Sequence, residues 1–158
     1  VLLSTPTTRT RMLATAMAAQ ATLVALVAGL TGLGIWGGAR LGSMGLAAEN
    51  IAGATAHLLA LGLFIGAAAL LAVAALGTSA AATWTATGVG LVGYVINTTL
   101  PMNPDLADWA RISPFYWYGA TNPLENGADW GNVAILLVGS AVLLAASFPL
   151  FTKRDLRV

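Results

Sequence analysis

Residues 50–104 read NIAGATAHLLALGLFIGAAALLAVAALGTSAAATWTATGVGLVGYVINTTLPMNP, and none of these 55 positions is Asp, Glu, Lys or Arg. A helix crosses the roughly 30 Å hydrocarbon core of a bilayer with about 20 residues. This interval therefore holds two crossings, divided at Gly77-Thr78-Ser79, its most turn-like point. Outward from it lie two shorter uncharged intervals, 28 residues between Arg11 and Arg40 and 23 between Asp129 and Lys153. Each has room for one crossing. Apolar residues run around each prospective helix without an amphipathic period, as lipid-embedded helices require. The first run is also longer than the apolar region of a signal peptide and reads as a span. The expectation is an all-α polytopic membrane helix bundle with four transmembrane helices, at about 13–37, 53–76, 81–100 and 132–151. It forms a single transmembrane domain over 1–158, with ends at 1–12 and 152–158.

Composition points the same way. Of 158 residues, 58% are hydrophobic and 8% charged, with a mean hydropathy of +0.81; a soluble domain carries about 25% charge. Seven basic, six acidic and one histidine side chain cannot cover the surface of a water-soluble fold. A net charge of +1 without a basic cluster excludes nucleic acid as a partner. Cysteine is absent, so disulfides, thiolate metal sites and redox pairs are excluded. A phosphate-binding G-x-x-x-x-G-K-[ST] loop is missing, and the lone lysine is Lys153. H-E-x-x-H and G-x-S-x-G are missing too. The sequence thus offers no catalytic residue, no metal set and no cofactor, and the chain reads as a non-enzyme.

An even number of spans puts both ends on one side. Arg9, Arg11, Lys153, Arg154 and Arg157 are five of the seven basic residues, and all lie at the ends. The other side has Arg40 and Arg111 with Glu49, Asp105, Asp108, Glu125 and Asp129. The positive-inside rule makes both termini cytoplasmic, in a multi-pass protein of the cell membrane. Segment 101–131, with Pro101, Pro104, Pro114 and Pro123, cannot be one long helix. Trp109, Phe115, Tyr116, Trp117, Tyr118 and Trp130 suit the headgroup boundary. The segment reads as short interfacial helices or a re-entrant excursion on the outer surface, or as an external loop anchored by aromatics.

Within the spans, association must come from close backbone contact and interhelical hydrogen bonds. Gly34 to Gly38 and Gly62 to Gly66 both read GxxxG. In the third span Thr83, Thr87, Gly90, Tyr94 and Asn97 step by three and four and share one face. That face is either a polar wall beside a substrate path or interhelical glue, its threonines bonding their own backbone. His57, the only histidine, and Gln20 read as hydrogen-bonding packers; a proton-relay carboxylate inside the spans is missing.

The ends of the chain resemble a known family. Leu2-Leu3-Ser4-Thr5-Pro6-Thr7-Thr8-Arg9-Thr10-Arg11, leading into a span, is similar to the cytoplasmic segment before the third span of type-2 ATP-binding-cassette (ABC) transporter permeases. Arg111-Ile112-Ser113-Pro114-Phe115-Tyr116-Trp117-Tyr118, then Asn122-Pro123-Leu124-Glu125-Asn126-Gly127, a last span and Phe151-Thr152-Lys153-Arg154-Asp155-Leu156-Arg157-Val158 resemble the closing pattern of antibiotic-exporter-like members. The resemblance implies the third to sixth spans of a six-span permease unit, the first two lying outside this chain. It implies a separate ATPase subunit docking at Pro6, Arg9 and Arg11, with ATP hydrolysis on that partner. It also implies a second permease unit, as a homo- or heterodimer, in the lipid bilayer. Thr83, Thr87, Tyr94 and Asn97 would line the substrate path; Trp109, Pro114, Phe115, Tyr116 and Trp117 would form the outer gate. Other readings are a four-span secondary transporter or channel subunit working as an oligomer, and a non-transporting assembly subunit.

The charge pattern predicts opposite accessibility for the turn at Thr78 and for segment 101–131. This chain contains no cysteine, so each introduced cysteine is the one thiol it carries. T78C should react with a membrane-impermeant maleimide in inverted vesicles alone, and D105C in intact cells alone; labelling of both from one side would refute the four-span topology.

Overall fold

The computed structural model describes residues 9–152. Among these there is no strand, and four long apolar helices account for the four spans. They are α1 (Arg9–Leu41), α2 (Ala48–Leu76), α3 (Ser79–Thr99) and α6 (Trp130–Thr152). In hydrocarbon a backbone amide has no water to bond, so an uncharged apolar run satisfies itself only as helix. The turn between α2 and α3 falls where expected. Gly77 takes the left-handed conformation (φ 73°), and its N–H closes on the Val73 carbonyl at 2.7 Å. The Thr78 hydroxyl then caps α3 by accepting from the Ala81 amide.

Residues 100–129 form a cap over one end of the bundle. Two 3-10 turns, Leu100–Met102 and Ala107–Ile112, precede α4 (Pro114–Gly119) and α5 (Pro123–Asn126). The short-helix reading of this segment holds. Each α element starts with proline at its first helical position, where a missing N–H is harmless and φ is already helical.

At the centre stands α2, which packs against α1, α3, α6, α4 and α5. Its buried seam repeats alanine every seven residues, at Ala60, Ala67 and Ala74, so neighbouring backbones approach closely. Across the largest interface, with α6, the buried positions are Val133, Leu136, Ser140 and Ser147. The two serines bond their own helix, to the Leu136 carbonyl at 2.7 Å and the Leu144 carbonyl at 2.6 Å. They therefore act as small, satisfied groups. Phe64 of α2 lies over Gly139, where a Cβ would approach its ring to 2.8 Å.

The two GxxxG pairs behave differently. Gly62 and Gly66 face α1: a Cβ on Gly62 would meet Val24 at 2.6 Å, and one on Gly66 would collide with Gln20. The Gln20 amide donates to the Gly62 carbonyl at 3.5 Å, a long bond across this contact. Gly34 and Gly38 face open space. Side chains along α1 and α3 are correspondingly exposed, as at Leu30 (69%) and Trp84 (75%).

Overpacking a tight helix contact costs about 1–3 kcal/mol. G66L should lower the melting temperature in detergent by several degrees. G34L, entering open space, should leave it near that of the parent. Equal melting of the two variants would contradict this packing.

Candidate functional site

The first turns of α2 build the site. Asn50, Gly53 and His57 recur at three and four residues, so all three present one face to the cap. The Asn50 side-chain amide donates to the Leu124 carbonyl at 3.2 Å and the Glu125 carbonyl at 2.8 Å, closing the end of α5. Gly53 lets the chain pass directly above: a Cβ there would lie 2.7 Å from the Ala128 nitrogen. His57 is fully buried. Its Nε2 accepts from the Asp129 amide at 3.1 Å, which leaves the ring proton on Nδ1, donated to the Tyr118 carbonyl at 3.0 Å. The two bonds use both ring nitrogens, one as donor and one as acceptor. The Asp129 carboxylate in turn accepts from the Gly131 and Asn132 amides and caps α6. One histidine thus ties α4 to the start of the last span. The reading of His57 as a hydrogen-bonding packer stands, and its partners are backbone groups of the cap.

A second anchor joins the cap to α3. The buried Ser113 hydroxyl donates to the Gly93 carbonyl at 2.6 Å and accepts from the Phe115 amide at 3.1 Å, capping α4. Gly93 has no room for more: a Cβ would meet Phe115, Ser113 and Pro114 at 3.2–3.4 Å. The Ser-Pro step at 113–114 carries a helix-start signal in the sequence. Asn50 and Gly53 carry none, because a single polar residue or glycine at a helix end has many other uses.

Of the suggested path residues, Thr83, Thr87 and Tyr94 are exposed on one face of α3, and Asn97 is half-buried. Nothing lies within 4 Å of a Cβ on Gly90 in the same stripe. Thr98 and Thr99 bond their own helix. Thr83, Thr87 and Asn97 make no side-chain hydrogen bond among the described residues, so the stripe is not glue within this chain. Tyr94 links it to the cap, its ring edge-to-face with Phe115 at 5.9 Å. The suggested gate residues divide. Pro114 is buried and Phe115 half-buried, while Tyr116 and Trp117 stack edge-to-face at 5.2 Å. Trp117 Nε1 donates to the Arg111 carbonyl at 2.9 Å, and the Arg111 guanidinium lies 6.0 Å from the Tyr116 ring. Trp109 stands apart, 60% exposed. Arg111 pairs with Asp108 at 3.1 Å, an exposed bridge worth little. Of the suggested coupling residues, Arg9 opens α1 and Arg11 is exposed in its first turn; Pro6 lies outside the described residues. Among those residues no group of three His, Asp or Glu converges to hold a metal.

Residues 1–152, nearly the whole chain, match the family described as multidrug efflux system permease Rv1217c, C-terminal domain. The chain belongs to that family. Comparisons with curated proteins and with solved structures return no match. Membership makes this four-helix bundle part of an efflux permease in a membrane, and the cap and the α3 face become parts of a permease domain.

Removing the His57 ring orphans a carbonyl and an amide in apolar surroundings, at about 1–3 kcal/mol each. H57A should lower the melting temperature of this permease domain and expose the cap to limited proteolysis ahead of the spans. S113A, losing a cap and one interhelical bond, should cost about 1 kcal/mol and loosen the α3 side. A cap as protease-resistant in H57A as in the parent would refute this role of His57.

Proposed function

We propose that the chain is the C-terminal portion, third to sixth spans, of the permease subunit of a type-2 ABC exporter. In this reading both ends are cytoplasmic, and an ATPase subunit docks at Pro6, Arg9 and Arg11. ATP is bound and hydrolysed on that partner, so this chain needs no cofactor and performs no covalent chemistry. Family membership supports the efflux permease, and the resemblance of both ends to type-2 permeases supports the class.

The observation that carries the proposal is the α3 face. Hydroxyl and amide groups unsatisfied in hydrocarbon are costly, and lipid cannot bond them. Thr83, Thr87 and Asn97 have no partner in the described chain, so the face calls for water, substrate or a polar surface opposite. A second permease unit facing it across a wetted path supplies all three. The Tyr94–Phe115 contact then lets the position of α3 move the cap above the path. A secondary transporter prefers intramembrane carboxylates, and the uncharged intervals supply none.

The test is to purify the permease and ask what accompanies it and what drives flux. An ATPase subunit should copurify, and efflux should require ATP. R9E/R11E should insert normally yet reduce substrate-stimulated ATP hydrolysis about tenfold, for about 1.4 kcal/mol of lost docking free energy. Unchanged coupling in that variant would remove the docking role. Efflux driven by an ion gradient without ATP would favour the secondary-transporter reading.

A further inference from the structure

Two hollows lie next to each other on the α1–α2 seam, on the flank of α2 that carries α1 rather than α3. The upper one, about 150 Å³, lies under the cap between Ile35, Ala54, Leu58 and Pro123, with Thr31, Thr55 and Asn122 at its edge. The lower one, about 220 Å³, runs between Leu23, Val27 and Gly62. Leu58 lines both. On α1 the lining positions 23, 27, 31 and 35 step by four, so the two hollows lie end to end along about 18 Å of α1, with Leu58 between them, and together make a groove on this seam. Val24 of α1 packs over Gly62 at one side of the lower hollow, and Gly32, with no side chain, admits Thr55 against α1.

The groove is chemically graded. Its lower half is aliphatic, and no Asp, Glu, Lys, Arg or His lines either hollow. At the upper end the Thr31 hydroxyl donates to the Val27 carbonyl at 2.8 Å and the Thr55 hydroxyl to the Ile51 carbonyl at 2.7 Å. Their protons are engaged, and their lone pairs remain to accept. Asn122 is held left-handed (φ 49°) before Pro123, and its side chain makes no hydrogen bond among the described residues. It can both donate and accept. A charged head would find no counter-charge here and would be expelled. Leu23 and Val27 are 63% and 61% exposed, so within this chain the groove is open along its side.

We propose that this groove binds an uncharged, lipid-like amphiphile. The apolar tail lies along Leu23, Val27 and Gly62, and a hydroxyl or amide donor meets Thr31, Thr55 and Asn122. The site is separate from the α3 face and is entered from the lipid. It needs no ATP coupling, so it stands or falls independently of the transporter class.

The test uses the permease, extracted from its membrane into lipid nanodiscs, and a photoreactive diazirine analogue of a long-chain alcohol. The methyl ether of the same probe is the comparator. Label from the alcohol should concentrate in peptides 23–35 and 51–62. L58W, filling the shared wall, should reduce it about tenfold. T31V/T55V, which keeps shape and removes the acceptors, should reduce alcohol labelling about tenfold and leave the ether unchanged. V142W, on the exposed face of α6, should alter neither, and the double valine variant keeps the test open if L58W misfolds. Label spread evenly over the exposed faces of α3 and α6, or indifferent to both groove variants, would overturn the site as ordinary lipid contact. A groove shielded from both probes would overturn it by showing that another protein segment fills it.

Discussion

The bond pair at His57 is the constraint on which the rest of the architecture depends. A cap built from two 3-10 turns and two helices of six and four residues cannot satisfy its own backbone, since each end leaves amides or carbonyls free. Water does this work above a membrane surface, but not where the cap sits down on the bundle. There a fully buried imidazole takes one carbonyl and one amide at once, and Asn50 takes two more carbonyls. Gly53 makes the approach possible by leaving the Ala128 backbone unobstructed. Because the amide held by His57 belongs to the residue that caps α6, cap position and the start of the last span are fixed together.

The same helix organises the spans. Small residues on α2 bring α6 and α1 to close range, through Ala60, Ala67 and Ala74 on one flank and Gly62 and Gly66 on another. In a bilayer, where no hydrophobic drive separates helix from lipid, close contact is what selects neighbours. By contrast α3 is held by α2 below and by Ser113 above, and keeps its threonine-bearing face uncovered.

Much of the architecture was legible in the chain itself. The charge-free intervals predicted four spans, and the glycine-threonine step at 77–78 placed the turn, because in hydrocarbon a residue's transfer cost does not depend on its neighbours. Prolines and aromatics marked the cap for a similar reason: ring constraint and interface preference are local properties. The exposed stripe on α3 was readable as a stripe from its spacing, although not which way it faced. The two GxxxG pairs show the limit, being alike in sequence and opposite in environment, one against Gln20 and Val24 and the other against nothing.

By itself, then, the sequence determined everything that follows from the free energy of single residues in lipid or at its surface: helix number, span positions and the identity of the cap. The tertiary structure alone decided what depends on pairs far apart in the chain. It set His57 against Tyr118 and Asp129, across 61 and 72 residues, and Ser113 against Gly93. It also left one glycine pair in contact and the other bare. Such pairs are chosen by how helices meet, and a hydrogen bond or close approach between distant positions leaves no period, run or composition for the sequence to display.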